Sequence, residues 1–409
     1  MWAMSTSSQP DAARRHPGTP WEVFRAFARL GVTSFGGPVA HLGYFRHAFV
    51  LRRKWLSEKA YADLVALCQF LPGPASSQVG MALGLQRAGF LGMLAAWLAF
   101  TLPSAILLTA FAFAVTALGN VSGAGWVQGL KAAAVAVVAQ AVLGMARQFT
   151  PDGKRATIAA AAVIAALLLP SSIAQLAIIV ATGLIGLAWL RPERDMLADE
   201  GAFTIRVSRA VGICCAAVYG LLLLGLPLAV AATGNGGLKL FGIFYRSGAL
   251  VFGGGHVVLP LLEAQTVHTG LVGHDGFLAG YGAAQAVPGP LFTFSAYLGA
   301  IQHGHPAGVL GAAIALVGIF LPGALLLVGA LPFWQQLRHA RRAQSALMGV
   351  NAGVVGILGA ALYNPVFTEG INSAMALALA VAAFVALTRW AAPPWAVVIG
   401  AGMLGFFLL

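Results

Sequence analysis

The sequence predicts an all-α, polytopic membrane protein built as an inverted repeat, with paired re-entrant or broken helices in each half. Three observations carry that reading. The first is composition: 59% of the 409 residues are hydrophobic and 9% are charged, with a mean hydropathy of +0.84, whereas soluble domains carry about 25% charged residues. The second is a duplicated set of helix breakers. Phe35-Gly36-Gly37-Pro38 precedes Gln69-Phe70-Leu71-Pro72-Gly73-Pro74, and Phe252-Gly253-Gly254-Gly255 precedes Gln285-Ala286-Val287-Pro288-Gly289-Pro290. Pro74 lies 36 residues past Pro38 and Pro290 lies 35 past Gly255, while Phe-Thr-Leu-Pro ending at Pro103 returns as Ile-Phe-Leu-Pro ending at Pro322. The third is a reversal of loop charge between the halves.

Taken in order, residues 1–20 are polar, with Arg14 and Arg15 and no apolar core of a signal peptide. They read as a disordered tail. The first repeat half, 21–190, opens with two hairpins. Arms at 22–35 and 38–51 have about 14 residues each, or ~21 Å of helix, too short to span a ~30 Å hydrocarbon core. A re-entrant hairpin with its tip at Gly36-Gly37-Pro38 follows. Arms at 60–71 and 75–86 flank Pro72-Gly73-Pro74 in the same way. Apolar runs at 89–118, 127–146, 155–170 and 172–190 read as full crossings. Residues 191–237 form a linker and a connecting span at 209–233. The second, inverted half, 238–409, repeats the plan with crossings at 306–332, 346–363, 372–388 and 393–409.

Basic residues near span ends mark the cytoplasmic side. The tail, the Arg52-Arg53-Lys54 loop, Arg87, and Arg147 with Lys154 and Arg155 all fall on one side under this plan. In the second half the loop at 263–276 has Glu263 and Asp275 without Lys or Arg. The loop matching the uncharged 119–125 holds Arg338, Arg341 and Arg342, and 364–372 has Glu369 as its only charge. Five crossings separate the repeats, and an odd number inverts the second. The N-terminus is thus expected in the cytoplasm, in a multi-pass protein of the cell (inner) membrane.

Several function classes drop out. A net charge of +12 would suit nucleic acid, but the basic residues sit in short loops between spans, where they fix orientation. No Gly-x-x-x-x-Gly-Lys-[Ser/Thr] motif offers an ATP-driven motor. Cys68, Cys214 and Cys215 have no disulfide or metal spacing. His303, His305, His268 and His274 read as outer-loop residues without a closed ligand set. No cofactor is implied, and no catalytic pair recurs at the breakers.

Duplicated broken helices point to a transporter's binding site, because irregular backbone at membrane depth survives only where it is buried in protein or lines a cavity. Proline suits the first helical turn, so new helices are expected to open at Pro38, Pro74 and Pro290. Helix starts present free N–H groups and partial positive charge to an anion. Ser76 and Ser77 follow Pro74, Thr293 and Ser295 follow Pro290, and Thr33 and Ser34 precede the first tip. Gln69 and Gln285 hold equivalent places before the paired prolines. Ionisable residues within the membrane are functional candidates: Arg25, Arg29, Arg46, Asp63 and Lys131 in the first half, and Arg246, His256 and Glu263 in the second. Long cations can instead snorkel to the interface, and His41 reads as a hydrogen-bonded packing residue.

From about Trp21 to the C-terminus, the chain resembles the long, two-domain form of the chromate ion transporter family. The resemblance is carried by Gly31-Val32-Thr33-Ser34-Phe35-Gly36-Gly37-Pro38, the Gln69-to-Gln78 stretch and the Phe-Gly-Gly-Gly-His run ending at His256. Phe320-Leu321-Pro322-Gly323 and Gly349-Val350-Asn351-Ala352 add to it. Gly129-Leu130-Lys131-Ala132 occupies the place of the last block, so Lys131 stands opposite Asn351. The resemblance implies efflux of chromate across the cytoplasmic membrane, with sulfate as a related oxyanion, and places weight on Ser34, Gly36, Gly37, Pro38, Gln69, Pro72, Gly73 and Pro74. To these the residue reading adds Ser76, Ser77, Arg46, Lys131, Gly253, Gly254, Gln285, Pro288, Gly289, Pro290 and Asn351 as substrate-binding candidates. Gly255 departs from the first half, where Pro38 stands. An importer or exchanger of sulfate-like anions and a membrane-embedded enzyme are the alternatives. The lipid bilayer is the surrounding partner, no nucleic acid is expected, and a homodimer stays open.

Overall fold

A computed structural model describes residues 17–118, 124–169, 171–192, 203, 205, 207–252, 255–338 and 340–409. Its described residues are helical throughout, without strands. The first half contains α1 (Pro20–Thr33), α2 (Gly37–Phe45) continued by a π-helical segment over Arg46–Arg52, α3 (Glu58–Phe70), α4 (Ala75–Ala117), α5 (Gly125–Phe149), α6 (Gly153–Leu168) and α7 (Ser172–Trp189). After the connecting α8 (Arg209–Thr233) come α9 (Gly236–Ala249), α10 (Val258–Thr266), α11 (His274–Ala286), α12 (Phe294–Ile301) and α13 (Gly308–Ala330). The chain ends with α14 (Trp334–Arg338), α15 (Arg341–Ala361), α16 (Thr368–Gly370), α17 (Ala374–Thr388) and α18 (Pro394–Leu408).

The breaks fall where the glycines and prolines placed them. The arm 75–86 and the crossing 89–118 form one helix, α4, but Ala88 and Gly89 leave helical geometry and divide it there. Pro38 sits in the first turn of α2 as expected. Pro74 and Pro290 instead precede the first turn, as N-cap residues. The nine expected crossings are revised: among the described residues five helical segments are long and apolar enough to span, at 75–117, 125–149, 209–233, 308–337 and 341–370. The helices in the other four expected crossings, α6, α7, α17 and α18, have 16, 18, 15 and 15 residues. At 1.5 Å per residue they cover only about 22–27 Å.

Both hairpins of the first half return to one level. Gly18 N donates to Arg87 O at 3.0 Å, Arg87 pairs with Glu22 at 3.0 Å, and its guanidinium lies 5.1 Å from the Trp55 ring. The start of α1, the α2–α3 loop and the α4 break therefore meet. In the second half, Gly236 packs against the His305 carbonyl, and His303 N donates to Leu271 O at 2.9 Å. The corresponding ends meet there too.

Packing repeats and crosses over between the halves. α1 lies along α4 as α9 lies along α13, while α5 packs against α17 and α18, and α15 against α6 and α7. At the crossings Gly125 and Gly129 meet Ala401 and Gly405, and Ser345 and Gly349 meet Thr182 and Gly186. Small residues four apart let helix backbones approach closely in a membrane. Direction inverts as well. α6 runs from beside Phe149, on one large cavity, to Leu167, on a smaller one; α17 runs from beyond Pro365, on the smaller cavity, to Leu387, on the large one.

Candidate functional site

The breaker tips of opposite halves hold each other. Gly289 N donates to Ser34 O at 2.9 Å, and Gly73 N donates to Val251 O at 2.7 Å. Ser34 and Val251 occupy equivalent places, one before each Phe-Gly-Gly motif, so the two bonds are one contact made twice. Gly73 (φ +120°) and Gly289 (φ +102°) need glycine on two counts. The left-handed region disfavours side chains, and a Cβ would stand 3.1 Å from Gly323 Cα at Gly73 and 2.9 Å from Ser104 Oγ at Gly289. Gly323 and Ser104 follow Pro322 and Pro103, the third repeated breaker. A Cβ on Gly255 would stand 3.2 Å from Pro38 Cγ and 3.5 Å from Leu291. Equivalent positions thus touch across the pseudo-two-fold, which leaves room for one proline and explains the glycine.

Three of the four tips border a cavity of about 730 Å³. Phe35, Gly36 and Pro38 come from the first, Gln69, Leu71, Gly73 and Ala75 from the second, and Gly255 with His256 from the third. α5 adds Gln140 and Gln148, and the first turn of α18 adds Trp395. The described lining has amides, one imidazole, aromatic and aliphatic side chains and backbone, and no Lys, Arg, Asp or Glu among its residues. Side chains cap α1 (Thr19), α3 (Ser57), α6 (Asp152), α8 (Ser208) and α9 (Asn235). The helices that start at the cavity wall, α2, α4 and α18, have no side-chain cap, a state they share with α5, α11, α13 and α15 elsewhere. Uncapped starts leave N–H donors and the positive helix end to a ligand.

Two histidines flank these starts, each held by hydrogen bonding. His41 is buried, with Nε2 at 3.2 Å from Ser34 O and Nδ1 at 3.4 Å from Ser76 Oγ. A carbonyl can only accept, so Nε2 carries the proton and Nδ1 accepts from Ser76. His41 is the packing residue the sequence suggested. His256 Nδ1 lies 2.7 Å from the hydroxyl of buried Tyr281. That phenol has no other partner among the described residues, and the bond it shares with Nδ1 leaves Nε2 for the cavity.

Of the expected site residues, Gly36, Pro38, Gln69 and Gly73 line the cavity. Ser34, Ser76 and Ser77 are buried behind the wall, and the hydroxyls of Ser34 and Ser77 have no hydrogen-bond partner. Gly37, Pro72 and Pro74 shape the tips without lining it. Pro288, Gly289 and Pro290 form the fourth tip, set back behind the first, and the buried Gln285 Nε2 is unpartnered. Gly253 and Gly254 lie outside the described residues. Arg46 pairs with Glu58 at an exposed position. Lys131, buried in α5, pairs with Asp275. Neither cation nor Asn351 reaches the lining. Gln140, Gln148, His256 and Trp395 are lining residues that the candidate set lacked. Only His256 had a signal, as an ionisable residue next to a tip.

Broken helices of two repeats that meet around a cavity are the arrangement found at transporter binding sites. The family model "Chromate transporter" matches residues 21–187 and again 238–406. The chain belongs to the chromate transporter family. It is 28% identical to the "Chromate transport protein" of Pseudomonas aeruginosa over 83% of this chain and 79% of that protein. Identity is 28% to the "Probable chromate transport protein" of Synechococcus elongatus, covering 83% of each. To the "Chromate transport protein" of Cupriavidus metallidurans it is 26%, covering 82% and 80%. No solved structure matches.

Proposed function

We propose that this protein exports chromate from the cytoplasm across the inner membrane and so gives chromate resistance. The observation that carries the reading is a cavity walled by uncapped helix starts and neutral donors, with no acidic side chain among its described lining residues to repel a dianion. Backbone N–H groups at helix starts bind tetrahedral oxyanions without a countercharge, and a neutral site releases them more readily than a ring of cations. Gln69 and His256 at the wall supply the remaining donors, and Ser77, buried behind it, holds an unpartnered hydroxyl. The cavity opens toward the cytoplasm in this reading, because it is bordered by Gln148 and Phe149 at the end of α5, next to the basic loop of Arg147, Lys154 and Arg155, and by the loop before α18.

Energetics favour export. A membrane potential moves charge with about 2.3 kcal/mol per elementary charge per 100 mV, so a dianion leaving a negative interior gains roughly 4.6 kcal/mol. At ~1.4 kcal/mol per decade that sustains about three decades of gradient. The test is radiolabelled chromate uptake into inside-out vesicles with and without an imposed potential, with sulfate as competitor. Accumulation that follows the potential is expected; uptake only into right-side-out vesicles would reverse the direction. Cysteines placed at Ser57 and Gln265 in a Cys-free protein should label from the cytoplasmic and outer sides respectively, and labelling from one common side would overturn the orientation.

A further inference from the structure

A second, smaller cavity of about 70 Å³ lies at the far end of α6, lined by Gln175, Glu263, His268, His274, Ala361 and Asn364 among others. It is the inverted-repeat counterpart of the large one. Ala361 and Asn364 lie 12 and 15 residues past Gly349; Ala141 and Gly144, which line the large cavity, lie 12 and 15 past Gly129. Glu263 lies eight residues past Gly255 as Arg46 lies eight past Pro38, and His274 lies 14 before Pro288 as Glu58 lies 14 before Pro72. The matching faces of α5 and α15 thus border about 730 Å³ on one side and about 70 Å³ on the other, while Arg46 and Glu58, the counterparts of Glu263 and His274, stand outside the lining of the large cavity. Where inverted repeats alternate, each half takes in turn the arrangement of its mate.

We infer that the small cavity is the outward vestibule of the transporter in its closed state, and that Glu263 is the gate residue that makes this state costly and hence openable. The inference rests on the export reading above. Glu263 has a side chain only 6% exposed, 3.1 Å from His268 Nε2, yet its Oε1 makes no aligned hydrogen bond. Gln175 Oε1 is also buried without a donor, its amide turned to Pro260 O at 3.5 Å. Two acceptors without donors in so small a space carry a desolvation cost, which opening to water removes. His268 and His274 are the other titratable groups facing the space. Burial, and then His274, lower the His268 pKa, burial raises that of Glu263 to about 7, and no Lys or Arg is among the described lining residues, so opening to water is what brings the carboxylate to full charge. A dianion entering an opened vestibule of this kind meets repulsion and leaves. The large cavity has no such carboxylate, so the two ends of the path differ in the sense that export requires.

The experiment uses Ala141→Cys and Ala361→Cys, each in a Cys-free background, in vesicles where chromate flux is measured alongside. A membrane-impermeant thiol reagent should modify the cysteine at 141 from the cytoplasmic side. The cysteine at 361 should resist the outer reagent at rest and react severalfold faster during chromate efflux. Adding Glu263→Gln, whose neutral amide is cheaper to bury, should slow both efflux and labelling at 361 while labelling at 141 persists. Chromate flux with labelling at 361 that ignores substrate, or that comes from the cytoplasmic side, overturns the vestibule. Absence of chromate flux in the protein with its natural sequence overturns the export reading itself.

Discussion

The two halves share a backbone plan and differ in what surrounds the second tip. In the first half Pro74 is followed by Ser76, Ser77 and Gln78, whose amide donates to Pro72 O at 3.0 Å and Gly323 O at 3.1 Å. In the second half Pro290 is followed by Phe292 and Phe294, and Phe294 packs on Phe277, Tyr281 and Tyr297 at centroid distances of 5.2, 5.8 and 6.0 Å. The matching aromatic cluster of the first half, Phe27, Phe45 and Phe100, backs the first hairpin instead. One half thus carries the polar donors and the other a stiff support. The aromatic-backed tip is also the one absent from the cavity wall. Repetition builds the frame, and its local violation makes a single anion site out of two similar halves.

The strongest break of that comparison treats the halves alike. Gly73→Leu and Gly289→Leu each force a side chain into left-handed backbone, at about 1–3 kcal/mol of strain, and into the opposite half. Both should lower chromate transport by more than about tenfold with insertion retained, whereas Gly220→Ala in α8, away from the cavity and with nothing within 4 Å of the new Cβ, should transport normally. Wild-type efflux from the Gly73 variant would remove the tips from the site.

Asp63 tests a device found in one half only, since Ala279 holds its counterpart position nine residues before the paired prolines. The carboxylate is 5% exposed and accepts from Phe203 N at 2.8 Å and Trp334 Nε1 at 2.9 Å. It ties α3 to the linker and to α14. Asp63→Ala strands two buried donors, at about 1–3 kcal/mol each, so thermal unfolding in detergent should move clearly downward. An unchanged transition would show that the linker docks without it.

These two cases also mark what could be read in the chain. The tips were legible because glycine and proline act locally, and repetition told their helix breaks from ordinary kinks. Inversion was legible because loop charges change sign. The short α6, α7, α17 and α18 were not, since an apolar run gives the hydrophobic stretch and not where the helix stops. Partners distant in sequence were also hidden. Nothing near Lys131 announces Asp275, and nothing around Gln140 or Gln148 shows that α5 faces the tips. Both follow from packing of one repeat on the other.

A smaller effect should distinguish the polar tip from the aromatic-backed one. Ser77 Oγ has no partner, so Ser77→Ala costs little stability and any loss appears in chromate affinity. With Ser76→Ala it should weaken apparent affinity a few-fold to about tenfold, the range of ~0.5–1.5 kcal/mol for a neutral hydrogen bond. Ser295→Ala, in the second half, should leave affinity unchanged. Equal losses on both sides would mean that both tips bind the anion.

Arg46 should matter least, although an intramembrane arginine was among the more attractive anion ligands in the sequence. Its side chain is 50% exposed and paired with Glu58, itself 53% exposed, and it does not border the cavity. Exposed ion pairs contribute little and are screened by salt. Arg46→Gln and Arg46→Lys should therefore keep chromate efflux within about twofold of wild type, with the same dependence on potential. The opposite result would be informative about the whole site. If Arg46→Gln loses more than about tenfold while Arg46→Lys does not, a cation reaches the substrate during the cycle. Recognition by helix starts and neutral donors would then be incomplete, and the first half would hold a charge that the second, with Glu263 in the matching place, reverses.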